Sequence, residues 1–141
     1  MIRRRKQVSG QAEAEYAADL ALAAQFDDLL ARARAAEQAF RKAQARTLPP
    51  SELYPLARDF DTALTDAMRS AYAVARAEIG PRGYEDRIYR RKARAKPAVH
   101  AWTDEAERLL TMRETHRLTG IPPAPRTDLP SDAGIVTYVQ A

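Results

Sequence analysis

The chain has 141 residues, of which 45% are hydrophobic and 30% are charged, with 23 lysines and arginines against 19 acidic residues. This composition is typical of one globular domain and excludes a fibrous chain. Because the chain has no cysteine, disulfides, thiolate metal sites and cysteine nucleophiles are excluded. No apolar run approaches the roughly 20 residues of a transmembrane helix, and no apolar segment follows the basic start. The sequence therefore predicts a soluble protein, either cytoplasmic or part of a virion.

A basic arm is predicted at residues 1–10, ahead of a long first helix. No glycine or proline occurs between Gln11 and Arg46, and apolar residues recur there every three or four positions, which predicts one amphipathic helix over that range. Ser9 is the predicted N-cap. The arm contains four consecutive basic residues, Arg3, Arg4, Arg5 and Lys6.

A second long helix is predicted between two proline-containing breaks. Pro49 and Pro50 end the first helix, because proline removes a backbone donor and restricts the residue before it. Apolar residues then recur at helical spacing from Leu53 to Ile79. Gly80, followed by another proline, is the predicted C-cap of this second helix.

Two long helices joined by a short connection favour an antiparallel hairpin. We expect the face with Phe26 and Phe40 on the first helix to pack against Phe60 and Leu64 on the second. The apolar face of the second helix is broader than one partner covers, and it also includes Tyr72. A third element or another subunit is therefore expected on it.

Positive charge is concentrated in residues 82–96, which carry seven basic and two acidic side chains, a net charge of +5. A short helix is predicted there, from about Tyr84 to Ala95, ended by Pro97. Tyr84 and Tyr89 lie among the basic residues and could stack on bases or sugars. The candidate binding residues in this segment are Arg87, Arg90, Arg91, Lys92, Arg94 and Lys96.

Two classes of partner fit this segregated charge. Arginine-rich segments neutralise phosphates in nucleic acids. The same segment could instead meet an acidic surface of a partner protein, or stay solvated. The sequence leaves all three open: binding to nucleic acid, binding to an acidic protein surface, or a solvated segment.

A last helix is predicted from Asp104 to Leu118, before Gly120. Thr103 is its predicted N-cap, because acidic residues fill the turn that follows. Trp102 precedes that cap, where it would fold back on the helix as a hydrophobic staple.

Residues 121–141 are predicted to form an extended tail, because four of the nine prolines lie there. The tail ends in residues that favour β-structure, with no partner strand upstream. Such a segment can pair with the sheet edge of a neighbouring subunit. The candidate partner-binding residues are Ile135, Val136, Tyr138 and Val139.

Catalytic and metal-binding patterns are missing from the sequence. It contains no nucleophile paired with a base, no paired carboxylates at suitable spacing and no glycine-rich phosphate loop. His100 and His116 match no spacing of a metal site, so we interpret both as structural. No enzyme, cofactor, metal or small-molecule substrate is expected.

The sequence thus predicts an all-α domain, residues 11–120, between a basic arm and an extended tail. The first functional hypothesis is a non-enzymatic structural subunit of a large multi-protein assembly, forming homo-oligomers within it. One example of such a subunit is a bacteriophage virion component, such as a head–tail connector or adaptor, which is suggested by analogy of architecture. The alternative is a small nucleic-acid-binding or regulatory protein that uses its arginine-rich segments on phosphates.

Overall fold

A computed structural model describes residues 7–121 of the chain. Within that range the chain forms α-helices and a short 3-10 helix, with no strand, which confirms the predicted all-α class. The α-helices are α1 (Gly10–Ala23), α2 (Phe26–Ala45), α3 (Pro50–Ile79), α4 (Arg87–Ala93) and α5 (Pro97–Thr119), and the 3-10 helix covers Pro81–Tyr84.

The predicted single helix from Gln11 to Arg46 is wrong, because α1 and α2 are separate helices. Ser9 caps α1 as predicted, since its hydroxyl accepts a hydrogen bond from the Ala12 N–H at 3.2 Å. At the break, the Leu22 carbonyl accepts hydrogen bonds from the Ser70 hydroxyl (2.8 Å) and from the Gln25 N–H (3.1 Å). Helices commonly break where a side chain bonds to one of their carbonyls. They also break where a turn tightens to hydrogen bonds three residues apart.

Helix α3 follows the prediction closely. Pro50 occupies its first turn, where a missing N–H costs nothing, and Pro55 is tolerated near the same end. Gly80 ends the helix as predicted, with φ of +94°, a backbone conformation that side chains with a Cβ rarely adopt.

The boundaries of α4 differ from the predicted range of Tyr84–Ala95. The chain first forms the 3-10 helix, and α4 begins only at Arg87, because Asp86 acts as its N-cap. The Asp86 carboxylate accepts a hydrogen bond from the Tyr89 N–H at 2.9 Å.

Helix α5 begins at Pro97, seven residues before the predicted start at Asp104. Pro97 starts α5 because its fixed φ suits a first helical position. The predicted N-cap, Thr103, lies inside the helix, and its hydroxyl donates to the Val99 carbonyl at 2.8 Å. Trp102 does not form a staple, because its ring packs edge-on against Phe26 with centroids 5.0 Å apart.

The core lies along α3, which contacts both α2 and α5 extensively. Phe40 of α2 and Phe60 of α3 lie with ring centroids 6.5 Å apart. Helix α5 also packs on α3 and contacts α2, and it is the third element that the breadth of the apolar face of α3 predicted. Much of this core is alanine, which lets helix backbones approach closely; its fully buried alanines are Ala57, Ala67, Ala71 and Ala106.

Residues earlier in the α1–α2 segment contact residues later in α3, and residues later in that segment contact residues earlier in α3. Asp19 pairs with Arg76 near the end of α3, whereas Phe40 packs on Phe60 near its start. Among residues 7–121, no helix is both long and apolar enough to cross a membrane.

Candidate functional site

Four arginines share one face of α4 and its C-cap. Arg87, Arg90, Arg91 and Arg94 are spaced at steps of three and four residues, so that the helix brings them to one side. Together they line one surface depression. We call these four residues the arginine face.

The arginine face has a rigid base. The side of α4 that carries Ala93, next to Arg90, packs inward, because Ala93 is buried in a small cluster with Ile79 and Val99. The Arg90 guanidinium donates a hydrogen bond to the Gly83 carbonyl at 3.0 Å and is half-buried. The other three arginines extend from this base into solvent.

No carboxylate forms an ion pair with an arginine of this face within the described range. Arg76 and Arg117, on other helices, pair with Asp19 and Asp61 at 2.8 and 2.7 Å. None of the four arginines of the face forms such an ion pair among residues 7–121, and no acidic residue occurs from 87 to 96. The face therefore presents concentrated positive charge without a direct ion pair, and Asp104 and Glu107 line a neighbouring depression together with Arg90 and Arg94.

Tyr84 and Tyr89, the predicted stacking residues, both have partners within the domain, and their stacking on a nucleic acid stays a prediction. The Tyr84 hydroxyl donates to Asp19, and its ring lies edge-on to Tyr16 with centroids 6.2 Å apart. The Tyr89 ring is covered by the Arg82 guanidinium, 4.6 Å from its centroid. Each ring is therefore partly engaged by a neighbour within the domain.

A network around Asp19 ties α1 to α3 and to the 3-10 helix. The Asp19 carboxylate accepts two hydrogen bonds from Arg76, at 2.8 and 3.0 Å, and one from the Tyr84 hydroxyl. Burial raises the pKa of Tyr84, and the hydrogen bond to Asp19 raises it further. No local pattern predicts this network, since Asp19 lies more than 50 residues from both Arg76 and Tyr84 in the chain.

The network forms one wall of a cleft of about 420 Å³ between α1, α3 and α4. Apolar atoms of Ala18 and Ile79 form much of the remaining wall, together with Gly83. Arg76 and Arg90 also reach the cleft, but each is already hydrogen-bonded within the protein. We interpret the cleft as a by-product of helix packing, because Asp19, Arg76 and Tyr84 bond to one another and Arg90 bonds to the Gly83 carbonyl.

Acid is expected to weaken the fold through Asp19 and Asp61. Burial raises the pKa of Asp19, but hydrogen bonds from Arg76 and Tyr84 outweigh it, and the pKa lies below the ordinary value of 3.8. The hydrogen bond from Arg117 holds the pKa of Asp61 below that value too. A carboxylate with a depressed pKa stabilises the folded state above its unfolded pKa, and this stability is lost as the pH falls through the folded pKa.

The melting temperature should therefore stay level from about pH 7 to about pH 5 and fall below about pH 4. The double variant Asp19→Asn/Asp61→Asn should melt lower at neutral pH and lose less on acidification. Asp59→Asn, at an exposed position without an ion pair among the described residues, is the control that should keep the wild-type profile. Identical acid profiles for wild type and the double variant would contradict this account.

The outer face of α1 carries no charge over its second half. Asp19 is the only charged residue between Tyr16 and Phe26, and it is turned inward toward Arg76. The exposed residues on the opposite side are apolar, and Leu20 keeps 46% of its surface exposed. We call this the α1 face; it comprises Ala17, Leu20, Ala21 and Ala24.

The sequence alone did not lead us to predict the α1 face. The 11 residues from Tyr16 to Phe26 indicate it, because they include a single charged residue. Helix α2 shows the usual pattern for comparison, since its exposed side carries Arg32, Arg34, Arg41 and Lys42. A helix that is apolar on both sides is normally covered on both sides.

The two histidines have different surroundings. His116 is 3% exposed, and its Nε2 lies 2.8 Å from the Ala57 carbonyl oxygen, to which it donates a hydrogen bond. His100 is exposed and lies 3.1 Å from Asp104. In the range 7–121 no three metal-ligating side chains lie close enough to hold an ion together.

The remaining predicted site residues are placed as follows. Lys92 and Lys96 are exposed, and the Lys96 ammonium lies 6.0 Å from the Tyr89 ring centroid. Two predicted sets lie outside the described residues: the basic residues Arg3, Arg4, Arg5 and Lys6, and the tail residues Ile135, Val136, Tyr138 and Val139.

Comparison of the chain with protein families, with curated proteins and with solved structures found no match. Its function is therefore inferred from its own residues.

Proposed function

We propose that the protein is a non-enzymatic structural subunit of a multi-protein assembly and that it docks on a second copy of itself through the α1 face. The observation that carries this proposal is the uncharged outer side of the second half of α1, where Leu20 is 46% exposed. A solvated helix normally carries charged side chains outward.

The chemistry of the α1 face favours a second copy of the chain as the occupant. An uncharged, apolar surface is complementary to itself, which is the requirement of a two-fold symmetric interface. Alanines at Ala17, Ala21 and Ala24 would let two helices approach closely, and burial of Leu20 would supply hydrophobic free energy. Charged neighbours on α2 would form the rim.

The proposed roles of the helical body, the arm and the tail in the assembly rest on the sequence. The antiparallel pairing of α1 and α2 with α3 would form the body of the subunit, and residues 1–10 and 121–141 would reach adjacent chains as an arm and a tail. A bacteriophage virion component, such as a head–tail connector, is the assembly that this architecture suggests by analogy.

The test compares the molar mass of three forms of the full chain by sedimentation velocity over a concentration series. Leu20→Glu/Ala21→Glu places like charges on the α1 face, so that two copies repel each other. Ala31→Glu/Ala35→Glu makes the same charge change at exposed alanines of α2. Circular dichroism should show the same helix content in all three forms, because every substituted side chain is exposed.

Wild type and the α2 variant are expected to sediment as dimers or larger species, and the α1 variant as a monomer. A monomeric wild type at the highest concentrations would sink the proposal. So would an oligomer that both variants leave intact, because the interface would then lie elsewhere.

A further inference from the structure

The arginine face is a second surface without a partner in the described part of the chain. We propose that it binds the phosphate backbone of a nucleic-acid duplex without reading its sequence. This inference is independent of the assembly role, because α4 and the α1 face are different surfaces.

The spacing of the arginines suits a row of phosphates. Arg87 and Arg94 are seven residues apart, which is about 10 Å along a helix axis. One strand of a duplex presents a phosphate about every 3.4 Å of its axis. The face is therefore long enough to meet neighbouring phosphates of one strand, and each guanidinium can donate two parallel hydrogen bonds to phosphate oxygens.

The make-up of the face favours nucleic acid over an acidic protein surface. A protein–protein interface normally combines arginine with aromatic and apolar side chains around an apolar core. The depression on α4 is instead lined by arginines alone. Ile88, the large apolar side chain that α4 exposes most, with 69% of its surface accessible, lies outside that lining.

The partners of Tyr84 and Tyr89 within the domain favour a duplex over a single strand as the ligand. Proteins that hold single strands stack bases on free aromatic rings. Tyr84 and Tyr89 both lie close to the arginine face, but each ring already has a partner within the domain. With both rings partly engaged in this way, contacts of the arginines to the backbone carry the binding that we propose, and a duplex presents its backbone at high charge density and without regard to sequence.

The base of the arginine face supports the proposal energetically. The Asp86 cap and the packing of Ala93 fix α4 before any ligand arrives. A preorganised surface loses less conformational entropy on binding than a flexible basic segment does.

The experiment measures the binding of the full chain to labelled mixed-sequence duplexes, one of DNA and one of RNA, by fluorescence anisotropy over a salt series. The test variant is Arg87→Gln/Arg91→Gln/Arg94→Gln. Arg90 is kept, because its hydrogen bond to Gly83 holds α4 in place.

A matched control removes the same charge elsewhere. Arg32→Gln/Arg46→Gln/Arg58→Gln changes three exposed arginines that form no ion pair among the described residues. The basic arm at residues 1–10 is present in every form, so a difference between the two triple variants reports on α4 alone. Equal melting temperatures of the variants establish that both are folded.

The test variant should bind a duplex at least about tenfold more weakly than wild type at low salt, and its plot of log K against log salt should be shallower by about three. The control should lose much less. A preference for the DNA or the RNA duplex would identify the natural source of the phosphates.

Three results would overturn the proposal. Equal losses in the two triple variants would mean that binding follows net charge and not the arginine face. Tighter, base-dependent binding to a single strand of the same length would exclude backbone recognition of a duplex. Displacement of the duplex by poly-glutamate at equal charge concentration would point to an acidic protein as the partner.

Discussion

Replacement of Phe40 by alanine is expected to lower the free energy of unfolding by about 3 to 5 kcal/mol. The Phe40 side chain is 0% exposed and lies where three helices meet, with Phe60 of α3 at 6.5 Å and His116 of α5 at 5.1 Å between ring centroids. Its removal would lose the transfer free energy of a buried ring and leave a cavity that rigid helices cannot close. Urea denaturation followed by circular dichroism measures the effect.

Leu118→Ala is the matched control for Phe40→Ala. Leu118 is 85% exposed near the end of α5, so its truncation should change the free energy of unfolding by no more than about 0.5 kcal/mol. A loss below about 1 kcal/mol for Phe40→Ala would show that the three helices do not share this core.

His116→Ala is expected to cost about 2 to 4 kcal/mol, for two separate reasons. The ring fills space beside Phe60, with centroids 4.7 Å apart, and its Nε2 donates to the Ala57 carbonyl. His116→Leu keeps most of the volume and loses only the hydrogen bond, so it should cost about 1 kcal/mol.

The comparison between the two substitutions tests whether His116 is structural. The exposed His100→Ala serves as the control and should leave stability nearly unchanged. If His116→Leu cost as much as His116→Ala, the hydrogen bond and not the packing would dominate. If His116→Ala left the unfolding free energy at the wild-type value, the structural interpretation would fail.

The α1 face and the arginine face can be disrupted separately. The glutamates placed at Leu20 and Ala21 should change molar mass and leave α4 intact, whereas the glutamines placed on α4 should change duplex affinity and leave the oligomer intact. Because the two surfaces lie on different helices, one proposal can fail while the other holds.

The sequence by itself determined where several helices end and which residues form their buried faces. Ser9, Pro49, Pro50 and Gly80 act through their own backbone conformations or through hydrogen bonds to near neighbours in the chain. Such effects need no distant partner. The clustering of arginines in 87–94 is local in the same way, because helical spacing alone brings them to one face.

Only the tertiary structure decided the features that depend on distant residues. Ser70, far along the chain, bonds to Leu22 where α1 and α2 separate, so periodicity alone could not predict that break. Asp19 likewise finds Tyr84 and Arg76 only after the helices have packed, and this pairing engages the Tyr84 hydroxyl within the domain. Local rules predict which segments become helices, whereas long-range hydrogen bonds and packing decide which side chains remain free to bind a partner.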